Sequence, residues 1–309
     1  MIKIFKKIKK IGFVGCFRLA IIKALGIASQ QKEIDTLYYF LKNYIDVRNF
    51  PPTKDVNLRN LQIGDLVLLK IIDKILTQNN LTYWLDAGTA LGAVRHKGFI
   101  PWDDDVDIAM PREDYAKAVK VLKNELLPLG IDVDEDYPMG RIGVGYKHKQ
   151  TGIWCDIFSY DTISTNLHFS EVYRVYTPII EKYKKYCKRN LLNNIDSVKK
   201  KHDEVFSEKG INKFLVHGYE FPHVVKPSFF YKDWILPVRR IKFENAELPV
   251  PNNYDSYLKE LFTKDYMSLP KTGVEHHGDE RGGIKNWAEY SGTNMETIIK
   301  ELEMIFRNL

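Results

Sequence analysis

The sequence has few cysteines, and this argues against two kinds of cross-linked fold. Only Cys16, Cys155 and Cys187 occur in 309 residues, far apart and without a CxxC pair. Neither a disulfide framework nor a cysteine-based zinc site is expected from this spacing. A reduced, cytoplasmic setting is expected instead, and the length allows a substantial core in one large domain or two ordinary ones.

The sequence also lacks an apolar run long enough to cross a bilayer. The apolar stretch in residues 1–27 is interrupted by Arg18 and Lys23. It falls short of the ~20 apolar residues that a transmembrane helix needs. The same interruptions argue against a signal peptide, and no clear cleavage site follows. Internal repeats and low-complexity tracts are absent from the sequence as well.

Acidic residues are missing from the first 32 positions, which hold eight lysines and arginines. Since the whole chain carries +6, the remainder sums to about −2, so the positive charge belongs to one end. A general nucleic-acid-binding surface is therefore not expected. Residues 1–27 are typical of a basic amphipathic segment lying on an anionic membrane surface. The alternative is an ordinary amphipathic helix packed on its own domain.

Hydrophobic periodicity predicts helices mixed with a small set of strands. Helices are predicted at 61–79, 112–127, 167–205 (broken near Pro178), 254–263 and 285–308. Strands are predicted at 81–87, 104–110, 141–149 and 152–161. Residues 33–58 are interpreted as a connecting region. The pattern predicts an α/β or α+β core of roughly residues 61–161 with helical additions.

Four aspartates, Asp103, Asp104, Asp105 and Asp107, occupy five consecutive positions beside an apolar strand. Residues two apart in a strand share a face, so Asp105 and Asp107 project together. Carboxylates this close repel one another and are costly to bury unpaired, so a cation is expected to meet them. Mg²⁺ (or Mn²⁺) suits such a pair, because it binds carboxylates together with substrate phosphate and water. For Asp103 and Asp104, a solvated turn is an equally good interpretation.

A third carboxylate and a strand-to-helix turn add to this candidate site. Asp156 lies among apolar residues on another predicted strand and would stand beside the pair if the two strands are neighbours. Three carboxylates converging on a metal are common in phosphoryl and nucleotidyl transfer. Gly88 and Thr89 lie at a turn that can present backbone N–H groups and a hydroxyl to a phosphate. Arg95 and Lys97 would bind phosphates or form salt bridges with the aspartates.

The run WLDAGTALGAVRHKGFIPWDDDVDIAMPREDY, residues 84–115, closely resembles the signature of the LicD family. That family includes fukutin and fukutin-related protein and belongs to the nucleotidyltransferase-fold superfamily. A looser resemblance continues through WCDIF at 154–158 and the segment 243–270. Two features depart from the pattern. Phe262-Thr263 stands where many relatives have Tyr-Gly, and no part of the family pattern is recognised in residues 162–242, so acceptor choice is expected there.

The resemblance implies a small mixed sheet flanked by helices. Gly88 and Thr89 would form the superfamily's glycine–hydroxyl turn, Asp105 and Asp107 its metal-binding pair, and Asp156 its third carboxylate. Asp156 would complete the metal site or take the proton from the attacking hydroxyl.

The resemblance further implies transfer of a phospho-alcohol unit from a CDP-activated donor, most simply CDP-choline, to a hydroxyl of a cell-surface glycan or its lipid-linked precursor. Such glycans include lipopolysaccharide, teichoic acid and capsule. A nucleotidyltransferase that moves NMP from an NTP to a small molecule is the main alternative, and a non-enzymatic membrane scaffold is a third.

Four segments are expected: a membrane-surface segment at 1–30, a connector at 31–60, a nucleotidyltransferase-like catalytic core at 61–161, and an extension at 162–309 that completes the site and binds the acceptor. The protein is expected at the inner, cytoplasmic face of the cell membrane. Further substrate contacts are expected at Trp102, Arg141, Lys147, Lys271, His276 and His277. An exposed loop or strand face is the alternative for these basic residues. The other aromatics suit a quaternary ammonium as well as Trp102 does.

Overall fold

The computed structural model describes residues 27–136, 141–146, 151–190, 211–217, 227–269 and 294–309. The chain divides into two units, one of Met1–Val47 with Met267–Gly273 and one of Arg48–Tyr266 with Val274–Leu309. The smaller unit contributes helix α1, Ile27–Tyr44. Within it, the Tyr38 hydroxyl donates a hydrogen bond to the Leu269 carbonyl at 3.2 Å.

The larger unit alternates helices and strands along most of its length. Its helices are α2 (Val56–Gln78), α3 (Ala87–His96), α4 (Arg112–Leu126), α5 (Phe169–Asn190), α6 (Lys232–Ile235), α7 (Tyr254–Leu261) and α8 (Met295–Asn308). Its strands are β1 (Trp84–Leu85), β2 (Val106–Pro111), β3 (Ile131–Asp136), β4 (Arg141–Tyr146), β5 (Trp154–Thr165), β6 (Asn212–His217), β7 (Ser228–Tyr231), β8 (Arg239–Phe243) and β9 (Ala246–Val250). Short 3₁₀ turns lie at Val47–Asn49 and Leu127–Leu129.

Seven of the described strands form one mixed sheet in the order β1-β2-β5-β4-β3, with β6 paired to the second half of β5 and β7 paired to β6. The β2–β5 pair is parallel, and the other pairs are antiparallel. Strands β8 and β9 form a separate hairpin. The predicted fold class, a mixed sheet flanked by helices, is confirmed.

Helix α2 forms because its apolar residues recur at helical spacing and its first turn is capped. The Asp55 carboxylate accepts hydrogen bonds from the N–H groups of Asn57 and Leu58, which would otherwise be unsatisfied at a helix N-terminus. Leu68 and Ile72, one turn apart, are fully buried. This buried face places α2 against the sheet, where it reaches the candidate site.

Helix α5 differs from its prediction, because it continues through Pro178. A proline inside a helix removes one backbone donor and strains the preceding turn. The loss is offset by packing, since Val172, Ile180 and Tyr183 of α5 are buried in one cluster with residues of β5, β6 and β7. Residues 191–205 of the predicted helix lie outside the described part of the chain.

Other boundaries differ by a few residues. The predicted strand at 81–87 is reduced to the two residues of β1, and β5 runs four residues beyond its predicted end at 161. The region interpreted as a connector is largely helical, because α1 and the first residues of α2 lie in it. Among the described helices, none combines the length and apolar character required to span a membrane.

Candidate active site

The parallel pairing of β2 and β5 brings two of the predicted carboxylates together. Asp107 of β2 is the register partner of Asp156 of β5. Paired residues on neighbouring strands point to the same face, and the strands are about 4.8 Å apart. Both residues are half-buried, while their neighbours Val106 and Cys155 are fully buried on the opposite face. The alternation therefore places both carboxylates on one partly open face of the sheet.

The aspartates raise one another's affinity for protons. The pKa of Asp107 is raised well above its ordinary value, first by burial and then by the negative charges of Asp105 and Asp156. Burial and the charges of Asp105 and Asp104 raise the pKa of Asp103 in the same way. These aspartates thus form a cluster of negative charge at the N-terminal end of β2.

The donor set of this cluster fits a hard divalent cation. Every ligand it offers is a carboxylate oxygen, which suits Mg²⁺ or Mn²⁺. Among the described residues, no group of three or more His, Cys, Asp or Glu side chains is arranged to enclose an ion. A pair of carboxylates is nevertheless typical of Mg²⁺ sites that substrate phosphates and water complete.

Gly88 and Thr89 lie in the first turn of α3, directly beside β2. The Thr89 hydroxyl accepts a hydrogen bond from the Asp107 N–H at 2.9 Å, and the Asp86 N–H donates to the Asp107 carbonyl at 2.9 Å. Strand β1 ends at Leu85 and is too short to pair with Asp107. Asp86, the residue before α3, and Thr89, in its first turn, bond the backbone of Asp107 instead. This arrangement fixes the backbone that carries the Asp107 carboxylate.

Asp103 lies against the same turn. A Cβ built on Gly88 would lie 3.2 Å from Asp103 Oδ2, so the missing side chain lets this carboxylate approach the N-terminus of α3. An anion is favourable at that end of a helix dipole. The Gln62 amide of α2 also donates to the Asp103 carbonyl at 2.9 Å. Asp103 is therefore half-buried and held at the site.

Arg95 is buried in the last turn of α3. Only 5% of its surface is exposed, and its Nη1 donates to the carbonyl of Tyr266 at 2.8 Å. Burial lowers its pKa to about 10, while the charge of Asp103 acts in the opposite direction. Both predicted roles of Arg95, phosphate binding and a salt bridge with an aspartate, stay predictions.

The other predicted contacts of this segment lie at its edge. Lys97 is exposed and ends α3 in the left-handed conformation, with φ 59°. Trp102 is half-buried between the rings of Phe50 and His96, with centroids 6.3 Å from each. Their roles in substrate binding stay predictions.

Several of the predicted site residues are not among those that the structure describes. Lys147, Lys271, His276 and His277, and residues 1–26 of the basic segment, lie outside the described residues. Arg141 is the first residue of β4, in register with Phe158 of β5 and Asp136 of β3, and its role in substrate binding stays a prediction.

Two buried aspartates were missed in the sequence. Asp86 is fully buried, and its Oδ1 accepts hydrogen bonds from the hydroxyls of Tyr160, at 3.0 Å, and Tyr257. Asp65 of α2 is also fully buried and accepts the Trp154 N–H at 3.0 Å. Burial raises the pKa of Asp65 well above its ordinary value, and Asp105 and other site aspartates add to this. An aspartate inside the apolar run LQIGDLVLLK was the available signal for Asp65.

Comparison with known proteins identifies this region. Residues 80–188 match the family model described as LicD/FKTN/FKRP, nucleotidyltransferase domain. The chain carries a LicD-family domain. This region includes the Gly88–Thr89 turn and all three predicted carboxylates, so the resemblance drawn from the sequence is confirmed.

The relatives share the domain to different extents. Over 255 residues, 70% of this chain and 94% of the relative, the chain is 26% identical to LicD of Haemophilus influenzae, named a lipopolysaccharide cholinephosphotransferase. It is 34% identical over 123 residues to an uncharacterized protein of Rickettsia prowazekii, covering 38% of this chain and 45% of that protein. It is 48% identical over 40 residues to human FKRP, named a ribitol 5-phosphate transferase, covering 13% of this chain and 8% of FKRP.

Proposed function

We propose that this protein transfers a phospho-alcohol unit, most simply phosphocholine, from a CDP-activated donor to a hydroxyl of a cell-surface glycan or its lipid-linked precursor. One observation carries the proposal: the register pairing of Asp107 with Asp156 beside the Gly88–Thr89 turn, inside the region that matches the LicD family. The names of the Haemophilus and human relatives support the same class of reaction, since both describe transfer of a phosphorylated alcohol.

Asp105 and Asp107 are the residues that would hold the divalent cation. A bound Mg²⁺ would offset the charge of the donor diphosphate and of the leaving CMP. The chain itself supplies position and charge. Thr89 holds the backbone of Asp107. The N–H groups at the N-terminus of α3 would provide a favourable site for a phosphate oxygen.

The transfer exchanges one phosphorus–oxygen bond for another. The glycan hydroxyl oxygen forms a bond to the phosphorus that carries the alcohol, and the bond from that phosphorus to the CMP oxygen breaks. The hydroxyl proton goes to Asp156 if this residue is the base, and to solvent if Asp156 completes the metal site. CMP leaves with the electron pair of the broken bond.

Contact with the membrane surface would bring the site to a lipid-linked acceptor at the inner face of the cell membrane. The basic N-terminal sequence supports this, as do four apolar side chains of α1 at helical spacing. Ile34, Leu37, Phe40 and Tyr44 are 58%, 60%, 54% and 73% exposed. Co-sedimentation with phosphatidylglycerol vesicles is expected, and phosphatidylcholine vesicles provide the control. Equal binding to both, or to neither, would contradict an anionic membrane surface as the partner.

The function is tested by product analysis with purified protein, Mg²⁺ and a crude glycolipid acceptor. Donors would be CDP-choline, CDP-ribitol, CDP-glycerol and CTP. CMP release from one CDP-alcohol, lost in Asp105→Ala and Asp107→Ala, is expected. The description of the matched region as a nucleotidyltransferase domain favours one alternative, transfer of NMP from an NTP. Pyrophosphate from CTP, without CMP from any CDP-alcohol, would replace the proposal with that reaction.

A further inference from the structure

Trp154 donates a hydrogen bond to the carboxylate of Asp156, two residues further along β5. The distance from Nε1 to Oδ1 is 2.6 Å. Because residues two apart in a strand share a face, the indole and the carboxylate lie side by side on the face that also carries Asp107. An indole N–H can only donate, and a hydrogen bond to a charged acceptor is roughly twice as strong as a neutral one.

The indole has room there because Gly143, on the neighbouring strand β4, has no side chain. Gly143 is the register partner of Asp156. A Cβ built on Gly143 would lie 1.8 Å from Cζ2 and 2.5 Å from Cη2 of Trp154. Gly143 is not among the described glycines with positive φ. Glycine is therefore required at this position for the space it leaves and not for its backbone freedom.

The main chain of Trp154 is fixed as well. Its N–H donates to Asp65 Oδ1 at 3.0 Å, and Asp65 is fully buried in α2. The start of β5 is thus held to α2 by the backbone, while the indole covers Gly143 and reaches the carboxylate. These contacts restrict both the tryptophan and the side chain that accepts its hydrogen bond.

We propose that Trp154 is a positioning residue, which holds the Asp156 carboxylate in the orientation needed for transfer, and that Gly143 admits it. This inference rests on the proposed function. Loss of the group that orients an active-site ligand typically lowers activity 10–100-fold. Trp154→Phe keeps an aromatic ring without a donor, so its kcat is expected to fall roughly 10- to 100-fold with little change in KM for the donor.

Gly143→Ala provides an independent test, because it displaces the indole without changing Trp154 or Asp156. A similar fall in kcat is expected. The double variant should lose about as much as Trp154→Phe alone, since one contact can be lost only once. Additive losses would contradict the proposed coupling. Trp234→Phe, the same change in α6 among the rings of Phe169 and Tyr231, is the matched control, and any effect it has on kcat should add to that of Gly143→Ala.

A spectroscopic measurement tests the contact without turnover. In ¹⁵N-labelled full-length protein, the indole resonance that disappears in Trp154→Phe is assigned to Trp154. It is expected to shift in Asp156→Asn and to stay in place in Asp233→Asn, a change of an exposed residue of α6. If the Trp154 resonance stays in place in Asp156→Asn, the positioning role is overturned and the proposed function is not affected. Absence of any transfer by the wild type would refute the proposed function, and the positioning role with it.

Discussion

Replacing Thr89 by valine removes one hydroxyl from the first turn of α3. That hydroxyl accepts the Asp107 N–H at 2.9 Å, and Thr89 is only 3% exposed. A methyl group cannot accept a hydrogen bond, so the N–H loses its partner. Leaving such a group unsatisfied costs about 1–3 kcal/mol. For a unit of this size, the corresponding fall in the melting temperature is about 2–12 °C.

Thr89→Ser is the matched control, because it keeps the hydroxyl and loses only a buried methyl group. The expected cost is about 0.8 kcal/mol. Thermal unfolding of both full-length variants, followed by circular dichroism without added metal, gives the comparison. Valine should also lower transfer activity more than serine, because the Asp107 backbone is no longer held. A valine variant at least as stable as the serine variant would refute the assigned hydrogen bond.

Three further predictions concern residues around the site. Burial raises the pKa of Asp65, so the charged carboxylate destabilises the folded state increasingly as the pH rises above about 4. In urea unfolding, Asp65→Asn should therefore be more stable than wild type at pH 8, and this difference in the free energy of unfolding should shrink towards pH 5. A difference that stays constant with pH would contradict the raised pKa of Asp65. Tyr257→Phe removes a hydrogen bond to buried Asp86 and should lower the free energy of unfolding by about 1.5–3 kcal/mol, and wild-type stability would show that the contact contributes nothing. Gly92→Ala would place a Cβ 2.5 Å from the carbonyl oxygen of Gly98, so we expect a lower melting temperature. An unchanged melting temperature would show that the backbone at Gly98 can move without loss of stability.

The sequence predicted those parts of the site that depend on local spacing. Period-two alternation predicted that Asp105 and Asp107 share one face of a strand; β2 begins at Val106, so Asp107 lies in the strand and Asp105 directly precedes it. The apolar residues around Asp156 correctly placed it on another strand. The strands are neighbours, as that prediction required. The fold class was predicted from the family signature around Gly88 and Thr89. That signature could be recognised because its residues are close together in the sequence.

Contacts between elements that are far apart in the sequence could not be predicted from it. Nothing in the local pattern indicates that Thr89 bonds the backbone of Asp107, or that Gly143 leaves room for Trp154, since both depend on which strands and helices become neighbours. The continuation of α5 through Pro178 has the same origin. Tertiary packing of Ile180 and Tyr183 outweighs the local preference of proline.

The dependence of CMP release on Mg²⁺, measured with metal-stripped protein, CDP-choline and a glycolipid acceptor, tests the central claim most directly. Wild type should regain activity as Mg²⁺ is added. Because Asp107 is proposed as a direct ligand, Asp107→Ala should lose activity by on the order of 100-fold or more at every Mg²⁺ concentration. Release that is independent of Mg²⁺, or that survives in Asp107→Ala, would contradict a metal-dependent transfer at this site.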